Sequence, residues 1–336
     1  VSRLFTHFLT QTPAQTPKHP NTQTPIPHVL CAMGPQGLAT RVLAGRLGSA
    51  WTYASVGGLD AIGHVTPYDL VRDYRFRSVS RGATLFGVTG WPLAKTRSPE
   101  LHNAAFLAED EDALMVPFPS ANAREALRFM KDMGMDGLAV TIPHKRAIMP
   151  LPDAVDSSAR AIGAVNTVRR SGNRYIGYNT DVTGFDESIA PHILPCHQHA
   201  FILGTGGVSK AVAYAFRQAG MKYTFVSRHK KLGCITYDDL RELFKILPSG
   251  EGWQRVLTQN PPIIVNCTPL GMYPDTDSCP DIPYHLLTEQ NLLFDCVYNP
   301  TETLFLRKGA AQGAITVGGL EMLHLQAQHA WEIWNE

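Results

Sequence analysis

The sequence predicts an α/β protein of two or three domains, and three observations carry that prediction. The chain has 336 residues, more than one domain usually holds. Short apolar runs typical of strands alternate with helical patterns along most of its length. A glycine-rich turn, residues 204–207, lies between one such strand and the helix that follows it. Alternation of this kind is typical of parallel sheets that are covered by helices.

The composition restricts the kind of partner that the chain can have. It is 44% hydrophobic and 18% charged, with a formal net charge of +1. Because no large field of either sign exists, we expect a small-molecule partner and neither nucleic acid nor a membrane surface. No apolar run approaches the roughly 20 residues that span a bilayer, and the first ten residues lack a signal-peptide cleavage pattern.

The cysteines are scattered and include no C-x-x-C pair. This spacing argues against a zinc site or any other metal site, and against a disulfide framework. It fits a reducing compartment, so we expect a cytoplasmic protein. The six positions are Cys31, Cys196, Cys234, Cys267, Cys279 and Cys296.

The N-terminal region begins with a polar stretch. Residues 11–27 are rich in Pro, Thr and Gln, which predicts an extended loop. Strand-like runs at 28–33 and 51–56 flank a helical pattern at 38–47, and a further helix is expected after Thr66-Pro67. Two strands cannot close a barrel, so this segment is expected to be part of something larger.

Hydroxyl side chains follow the next strand, residues 84–88. Ser98 has the position of a helix N-cap with Pro99 at the first helical position, and Thr96 lies two residues before it. Hydroxyls in a loop at a helix start suit the binding of a carboxylate. Capping alone would also account for Ser98.

A lysine, an asparagine and an aspartate follow three further segments. Lys145 comes just after an apolar strand predicted at 138–142, where partial removal from water would suit a proton-transfer group. Asn166 lies in a predicted hairpin, and Asp181 opens the helix after it. A solvated lysine and a helix-capping aspartate are the alternatives. Taken together, the three groups favour a proton-transfer site for a small polar molecule.

The glycine-rich turn predicts a dinucleotide-binding domain. Strand 200–203, the turn, a helix reaching Gly220 and strand 223–226 form a βαβ unit in which backbone N–H groups can approach a pyrophosphate. The second strand leads into Ser227 and Arg228 rather than into an acidic residue that would bind a ribose hydroxyl. Arg228 can instead bind a 2′-phosphate, so we predict NADP.

The remaining elements are strands at 262–266 and 292–297, a helix at 303–311 and a final amphipathic helix from 318. We expect the apolar face of the final helix to pack on the first α/β domain, the one that carries Lys145. That packing would bring Gln326 near the substrate. Judged from the pattern of this helix alone, Gln326 would be an exposed polar residue. Its apolar positions are Leu320, Leu323, Ala327, Ala330 and Trp331.

Eight of these segments, in order over about 240 residues, resemble the shikimate dehydrogenase family. They are GWPLAKTRSPELHN (90–103), GLAVTIPHK (137–145), IGAVNT (162–167), GYNTD (177–181), GTGGVSKA (204–211), NCTPLGM (266–272), DCVYNPTET (295–303) and GGLEMLHLQA (318–327). The resemblance implies a two-lobed dehydrogenase with an α/β substrate domain and a Rossmann-like NADP domain. It implies reversible reduction of 3-dehydroshikimate to shikimate.

The resemblance also assigns roles to individual residues. It makes Lys145 and Asp181 the catalytic acid–base pair. The residues that it implies for substrate binding are Thr96, Ser98, Thr141, Asn166, Tyr298 and Gln326. The cofactor-binding residues are Gly204, Gly206, Gly207, Ser227 and Arg228, to which we add Met272 as a residue of the pocket wall.

Three departures from the family pattern leave substrate choice open. The family usually has His-Ser at Lys95-Thr96, Asn at Ser227, and Asn or Ser at Ala139. A quinate/shikimate dehydrogenase of quinate catabolism is therefore one alternative, because a single methyl discriminates by only about 1–3 kcal/mol. A non-catalytic regulator that resembles fungal quinate repressors is another, although the intact Lys145 and Asp181 favour an enzyme.

The N-terminal segment is similar to the last part of a type I 3-dehydroquinate dehydratase, a TIM-barrel family. Residues 32–55 carry the resemblance, with Arg41 at the family's substrate-binding arginine. Asp60 and His64 depart from the family's Ser and Gln. The family's Schiff-base lysine and histidine lie upstream, so we expect no dehydratase activity and a missing N-terminal half of the barrel. The domains expected are 1–80, a partial TIM-barrel segment; 81–185 with helix 318–336, the substrate domain; and 186–317, the NADP domain.

Overall fold

The structure is a computed structural model that describes residues 27–34, 37–56, 65–93, 96–244 and 260–336. The described residues cluster into two compact units. The first unit holds the residues up to Ala159 together with Val165–Tyr178 and Ala330–Glu336. The second holds Arg160–Ala164 and Asn179–His329. The predicted loop at 11–27, apart from Pro27, and the positions Asp60, His64 and Lys95 lie outside the described residues.

The sheet of the first unit is mixed. Its strands are β1 (Thr84–Thr89), β2 (Ala113–Pro117), β3 (Gly137–Val140), β4 (Ala154–Val155), β5 (Thr167–Ser171) and β6 (Arg174–Tyr178). Their order across the sheet is β2-β1-β3-β5-β6-β4. β1 is parallel to β2 and β3, whereas β5 is antiparallel to β3 and β6. The ends of β1 and β3 therefore lie at the same edge of the sheet as the start of β5.

The described residues of the first unit include five helices. They are α1 (Leu38–Val42), α2 (Pro67–Arg72), α3 (Ser98–Ala108), α4 (Ala123–Asp132) and α5 (Ser157–Ile162), the last of which runs into the second unit. α4 begins after Asn122, whose side chain accepts hydrogen bonds from the first turn, as N-cap asparagines do. Its buried Leu127 and Met130 join Leu138 in the core. Trp334 and Phe86 belong to a second apolar cluster, in which their ring centroids are 5.0 Å apart.

The two strands that the sequence predicts near the N-terminus are absent. Residues 28–33 and 51–56 have no strand structure. The Leu30 N–H donates to Ser49 Oγ at 3.0 Å and the Ala50 N–H to the His28 carbonyl at 2.8 Å. Strand propensity fails because neither run has neighbouring strands with which to form a sheet. The helix predicted at 38–47 is present in shortened form as α1.

This N-terminal segment packs into the core of the first unit. Val42, Leu43 and Leu70 belong to the same apolar cluster as Leu114 and Val116. Helix α2 begins where the sequence predicts, with the Thr66 side chain capping its first turn. The exposed apolar side chains of this segment include Met33, Trp51 and Val56.

Two guanidinium groups hydrogen-bond this segment to neighbouring backbone. Arg46 Nη1 donates to the Ala83 carbonyl at 2.6 Å. Arg75 Nη1 donates to the carbonyls of Glu111 and Ala113 at 3.0 and 3.2 Å. The segment is thus an integral part of the first unit.

The sheet of the second unit is parallel and doubly wound. Its strands are β7 (His199–Leu203), β8 (Lys222–Ser227), β9 (Cys234–Thr236), β10 (Ile263–Asn266), β11 (Leu292–Asp295) and β12 (Ile315–Val317). Their order is β12-β11-β10-β7-β8-β9, and each neighbouring pair is parallel. This is the strand order of dinucleotide-binding folds, whose ligands bind where the chain direction reverses, here between β7 and β10.

The helices of the second unit are α6 (Asp181–Ile189), α7 (Gly207–Gln218), α8 (Tyr237–Phe244), α9 (Leu304–Ala310) and α10 (Leu320–Asn335), whose last residues belong to the first unit. Short 3₁₀ turns occupy Ala190–His192 and Tyr284–Leu286. Phe185 on α6 makes edge contacts with Phe216 on α7 and Phe294 on β11. These rings fill the core between the helices and the sheet.

Several boundaries differ from the sequence prediction. β3 ends at Val140 rather than Ile142, and β11 ends at Asp295 rather than Val297. On α10 the buried positions include Met322 and Trp334, which the prediction omits. Leu320, Leu323 and Trp331, predicted as part of the apolar face, are only half-buried. No helix among the described residues is long and apolar enough to cross a membrane.

Candidate functional site

In the first unit, Lys145 and Asn166 are brought to one corner of the sheet by backbone hydrogen bonds. The Val165 N–H donates to the Lys145 carbonyl at 2.7 Å, and the Val140 N–H donates to the Asn166 carbonyl at the same distance. Lys145 is half-buried and Asn166 is buried. The corner forms because β3 ends where the antiparallel β5 begins.

Thr141 lies at the same corner, directly after β3. Its N–H donates to the Thr89 carbonyl at 2.9 Å, and the Trp91 N–H donates to the Ile142 carbonyl at 3.0 Å. A Cβ on Gly90 would lie 2.6 Å from the Thr141 methyl, so only glycine permits this approach. The loop after β1 is thereby held against the loop that leads to Lys145.

Thr96 and Ser98 present a pair of adjacent hydroxyls. Their Oγ atoms are 3.3 Å apart, and both residues are half-buried. The predicted N-cap role of Ser98 is wrong by one position: Arg97 is the N-cap and Ser98 is the first residue of α3. The Ser98 N–H is directed at Thr96 Oγ1, 3.3 Å away. The start of α3 therefore offers two hydroxyls, as an anion-binding loop requires.

Asp181 is the first residue of α6 in the second unit and is buried. Thr180 is the N-cap, and the Asp181 N–H donates to the Asn179 side-chain oxygen at 3.1 Å. Asn179 Nδ2 in turn donates to the Ala164 carbonyl at 2.9 Å. Asp181 is therefore not the N-cap of α6, as the capping alternative required, because Thr180 has that position.

Gln326 and Tyr298 also lie in the second unit. Gln326 is on α10, where its Nε2 donates to the Leu323 carbonyl at 2.9 Å. A Cβ on Gly184 would lie 2.9 Å from the Gln326 backbone nitrogen, so α6 and α10 pack closely there. Tyr298 is half-buried in the loop after β11.

The glycine-rich turn has the geometry that a pyrophosphate site needs. Gly204 has φ of +108°, which favours glycine, and a Cβ there would lie 3.2 Å from the Thr268 methyl. Gly206 faces open space, with nothing within 4 Å of a Cβ position. Gly207 begins α7, and the Gly206 N–H donates to Ser209 Oγ at 3.1 Å. An anion can therefore approach the backbone at the N-terminus of a twelve-residue helix.

Positive charge lies beside this turn. Ser227 ends β8 and is buried, while Arg228 after it is exposed. Lys231 Nζ donates to Thr205 Oγ1 at 3.1 Å. Burial raises the pKa of Tyr237 to about 12, and the nearby Arg228 guanidinium acts in the opposite direction. These charges suit a phosphorylated nucleotide.

Met272 is 39% exposed, which is compatible with its predicted place in the wall of the cofactor pocket.

A buried polar network in the second unit has no counterpart in the sequence prediction. Asp295 accepts hydrogen bonds from Asn266 Nδ2 at 2.9 Å and from Thr303 Oγ1 at 2.5 Å. Asn266 Oδ1 accepts from Thr268 Oγ1 at 2.7 Å. Burial raises the pKa of Asp295 to about 6, although these hydrogen bonds act against the rise. The polar residues of this network are visible in the sequence segments NCT (266–268) and DCVYNPTET (295–303). No sequence spacing indicates that these two segments contact each other.

Arg41, the position aligned with the dehydratase arginine, is buried. Its Nη1 donates to the Ala32 carbonyl at 2.9 Å. Within the described ranges, no group of three or more His, Cys, Asp or Glu side chains could hold a metal ion.

Two family models match the chain. The shikimate dehydrogenase substrate-binding domain matches residues 88–168, which include the corner with Lys145. The type I 3-dehydroquinase family matches residues 14–81. A bifunctional 3-dehydroquinate dehydratase/shikimate dehydrogenase of Arabidopsis thaliana is 31% identical over 339 residues, covering 94% of this chain and 55% of the relative. The same two families therefore occur together in a known protein.

Relatives of the dehydrogenase part cover most of their own length. The NADP(+) shikimate dehydrogenase of Symbiobacterium thermophilum is 38% identical over 268 residues, which are 77% of this chain and 91% of the relative. The crystal structure of shikimate 5-dehydrogenase from Thermus thermophilus, in complex with NADP(H) and shikimate, has a TM-score of 0.63 at 28% identity. It covers 75% of this chain and 93% of that structure. The chain belongs to the shikimate dehydrogenase family, and its N-terminal segment is similar to the type I 3-dehydroquinase family.

Proposed function

We propose that the chain catalyses the NADP-dependent, reversible reduction of 3-dehydroshikimate to shikimate. The single observation that carries the proposal is the corner of the first unit where backbone hydrogen bonds hold the segments of Lys145 and Asn166 together, with Thr141 directly after β3. It is accompanied in the second unit by an open glycine turn with adjacent positive charge. An acid–base group, polar substrate ligands and a nucleotide turn are the parts that this reaction needs.

The hydroxyls of Thr96 and Ser98 bind the substrate carboxylate in this proposal. Their Oγ atoms are 3.3 Å apart, close enough for one carboxylate to accept from both. Thr141, Asn166, Tyr298 and Gln326 bind the ring hydroxyls. The side-chain oxygen of the buried Asn166 accepts a hydrogen bond from Thr167 Oγ1 at 3.1 Å, which restricts the orientation of the amide before the substrate arrives.

Lys145 donates the proton to the alkoxide oxygen that develops as the carbonyl is reduced, and it accepts that proton in the reverse direction. Asp181 acts with it as the second member of the acid–base pair. A positioned acid of this kind contributes about 10²–10⁴-fold to the rate.

NADPH, when bound, supplies the hydride. Gly204, Gly206 and Gly207 leave the backbone N–H groups accessible to its pyrophosphate. Arg228 binds the 2′-phosphate, and Ser227 and Met272 complete the site. The absence of an acidic residue at the end of β8 supports NADP over NAD, because a carboxylate there would repel the phosphate.

We assign substrate binding to residues 81–185 with helix 318–336, and NADP binding to 186–317. The proposal takes no residue for this reaction from residues 14–81, which match the dehydratase family. It includes a cytoplasmic location, which the free state of the six cysteines supports.

An absorbance assay of NADPH formation from shikimate and NADP tests the proposal. We expect NADPH formation that depends on shikimate, with a lower kcat/KM for NAD. Quinate, which differs at the ring, serves as the second substrate. A chain that binds shikimate without forming NADPH would contradict the proposal and support a regulatory role. A higher kcat/KM for quinate would instead indicate a catabolic enzyme.

A further inference from the structure

Cys267 and Cys296 form a close thiol pair at one end of the second sheet. Each directly follows a strand, β10 or β11, and the residues before them, Asn266 and Asp295, are register partners. Their Sγ atoms are 3.7 Å apart and within hydrogen-bonding range. Both residues are partly buried and carry free thiols.

The backbone geometry suits a covalent bond between these thiols. Neighbouring strands lie about 4.8 Å apart, which is within the usual Cα–Cα range of about 4.4–6.8 Å for a disulfide. The sulfur atoms need to approach one another, and rotation of the side chains supplies most of that approach. No strand has to change its register.

The pair lies beside the glycine-rich turn. The Cys267 carbonyl oxygen is 3.3 Å from the position that a Cβ on Gly204 would take. The Cys296 carbonyl oxygen is 2.7 Å from the corresponding position on Gly319, the residue before α10. The backbones of Cys267 and Cys296 therefore lie close to the turn and to the start of α10, so a disulfide that displaces either backbone also displaces these neighbours.

We propose that Cys267 and Cys296 are a redox-active dithiol, which a small disulfide such as glutathione disulfide oxidises to an intramolecular disulfide that weakens NADPH binding. The formation of the disulfide is independent of the proposed dehydrogenase activity. Its effect on NADPH rests on the function proposed above. The two parts are therefore tested by separate measurements.

The reaction balances with one molecule of glutathione disulfide. The Cys267 thiolate attacks one glutathione sulfur, which breaks the S–S bond and releases the first glutathione as a thiolate that takes up the Cys267 proton. Cys296 Sγ then attacks Cys267 Sγ, breaks the mixed disulfide and releases the second glutathione with the Cys296 proton. Two thiols of the protein are oxidised, and the glutathione disulfide is reduced to two thiols.

The electrostatic surroundings give the two cysteines different parts in this sequence. The hydrogen bond with Cys267 and then burial raise the pKa of the Cys296 thiol well above its ordinary value, and the charges of Asp295 and Asp181 act in the same direction. Cys296 therefore keeps its proton at neutral pH, and Cys267 makes the first attack. Proximity then favours the second, intramolecular step.

Titration of the purified full chain with glutathione disulfide, followed by alkylation and peptide mass analysis, tests the disulfide. We expect wild type to lose two thiols as one Cys267–Cys296 bond, reversibly with dithiothreitol. Cys267→Ser and Cys296→Ser should form only a mixed disulfide with glutathione at the remaining position. Cys196→Ser, a partly buried cysteine elsewhere in the second unit, is the control and should behave as wild type. Absence of the Cys267–Cys296 bond in wild type overturns the proposal.

NADPH fluorescence titration tests the consequence. Oxidised wild type should bind NADPH about tenfold more weakly than reduced wild type, and oxidised Cys296→Ser should show a smaller change. Because coupling is reciprocal, saturating NADPH should make the pair harder to oxidise by the same factor. A disulfide that forms and leaves the NADPH Kd unchanged overturns the link to the cofactor. Reduced wild type that binds no NADPH contradicts the proposed function, not the disulfide.

Discussion

Asp295 is a carboxylate enclosed at the end of a buried strand. It accepts hydrogen bonds from Asn266 and Thr303 and from the Val297 N–H, at 3.0 Å in the last case. Burial nevertheless raises its pKa to about 6. An acid whose pKa is higher in the folded state than in the unfolded chain binds more protons when folded between those two values. Its contribution to stability is complete below about pH 4 and is lost as the pH rises through about 6.

Asp295→Asn should therefore alter the pH dependence of stability. The amide keeps the shape of the side chain but does not ionise. Relative to wild type, the variant should gain on the order of 2 kcal/mol in free energy of unfolding as the pH rises from 4 to 7, with most of the change below pH 6. Urea unfolding at a series of pH values measures this difference. Asp275→Asn, at an exposed position, is the control. A difference that is constant with pH would show that Asp295 is already ionised in the folded protein.

The element that the sequence predicts best is the β7–turn–α7 unit. It contains two glycines whose backbone conformations and surroundings differ. Gly204 is required by its φ of +108° and by close neighbours, whereas Gly206 has φ of −80° and open space around it. Folding needs glycine only at the first position. At the second, an anion that contacts the backbone would supply the reason.

The two glycines should separate folding from cofactor binding. Gly206→Ala should leave the free energy of unfolding within about 0.5 kcal/mol of wild type, because the new methyl meets nothing. It should weaken NADPH binding by about tenfold or more, because the methyl occupies the approach of the pyrophosphate. Gly204→Ala should lose about 1–2 kcal/mol of stability from the unfavourable φ. Chemical unfolding and NADPH titration measure both effects. Unchanged NADPH affinity in Gly206→Ala would place the pyrophosphate elsewhere.

At the scale of the whole molecule, the dehydratase-like segment is built into the unit that carries Lys145. Leu43 and Leu70 lie in the same core cluster as Leu138 on β3. Arg75 adds hydrogen bonds to the backbone before and within β2. The segment therefore contributes to the stability of the first unit, although it keeps no strand of a barrel among its described residues.

Local patterns predicted the elements that depend on local chemistry. The helix starts at Thr66 and Thr303 follow from side-chain capping, and the turn at Gly204 from its glycines. The failures have non-local causes. Residues 28–33 have the composition of a strand but lack a partner strand. The N-cap of α3 is Arg97, one residue before the predicted Ser98. The Asp295 network and the thiol pair join segments 29 residues apart, which only the register of β10 and β11 brings together.

The central claim is that Lys145, in the first unit, is the proton donor in a reaction whose cofactor turn is in the second unit. The most direct test is the kcat of Lys145→Met in the NADPH absorbance assay, beside Lys131→Met, a control at an exposed lysine of α4. We predict a fall of about 10²–10⁴-fold in kcat with a small change in KM, because Thr96 and Ser98 still bind the carboxylate. The control should retain wild-type turnover. Near-normal kcat in Lys145→Met would contradict the account.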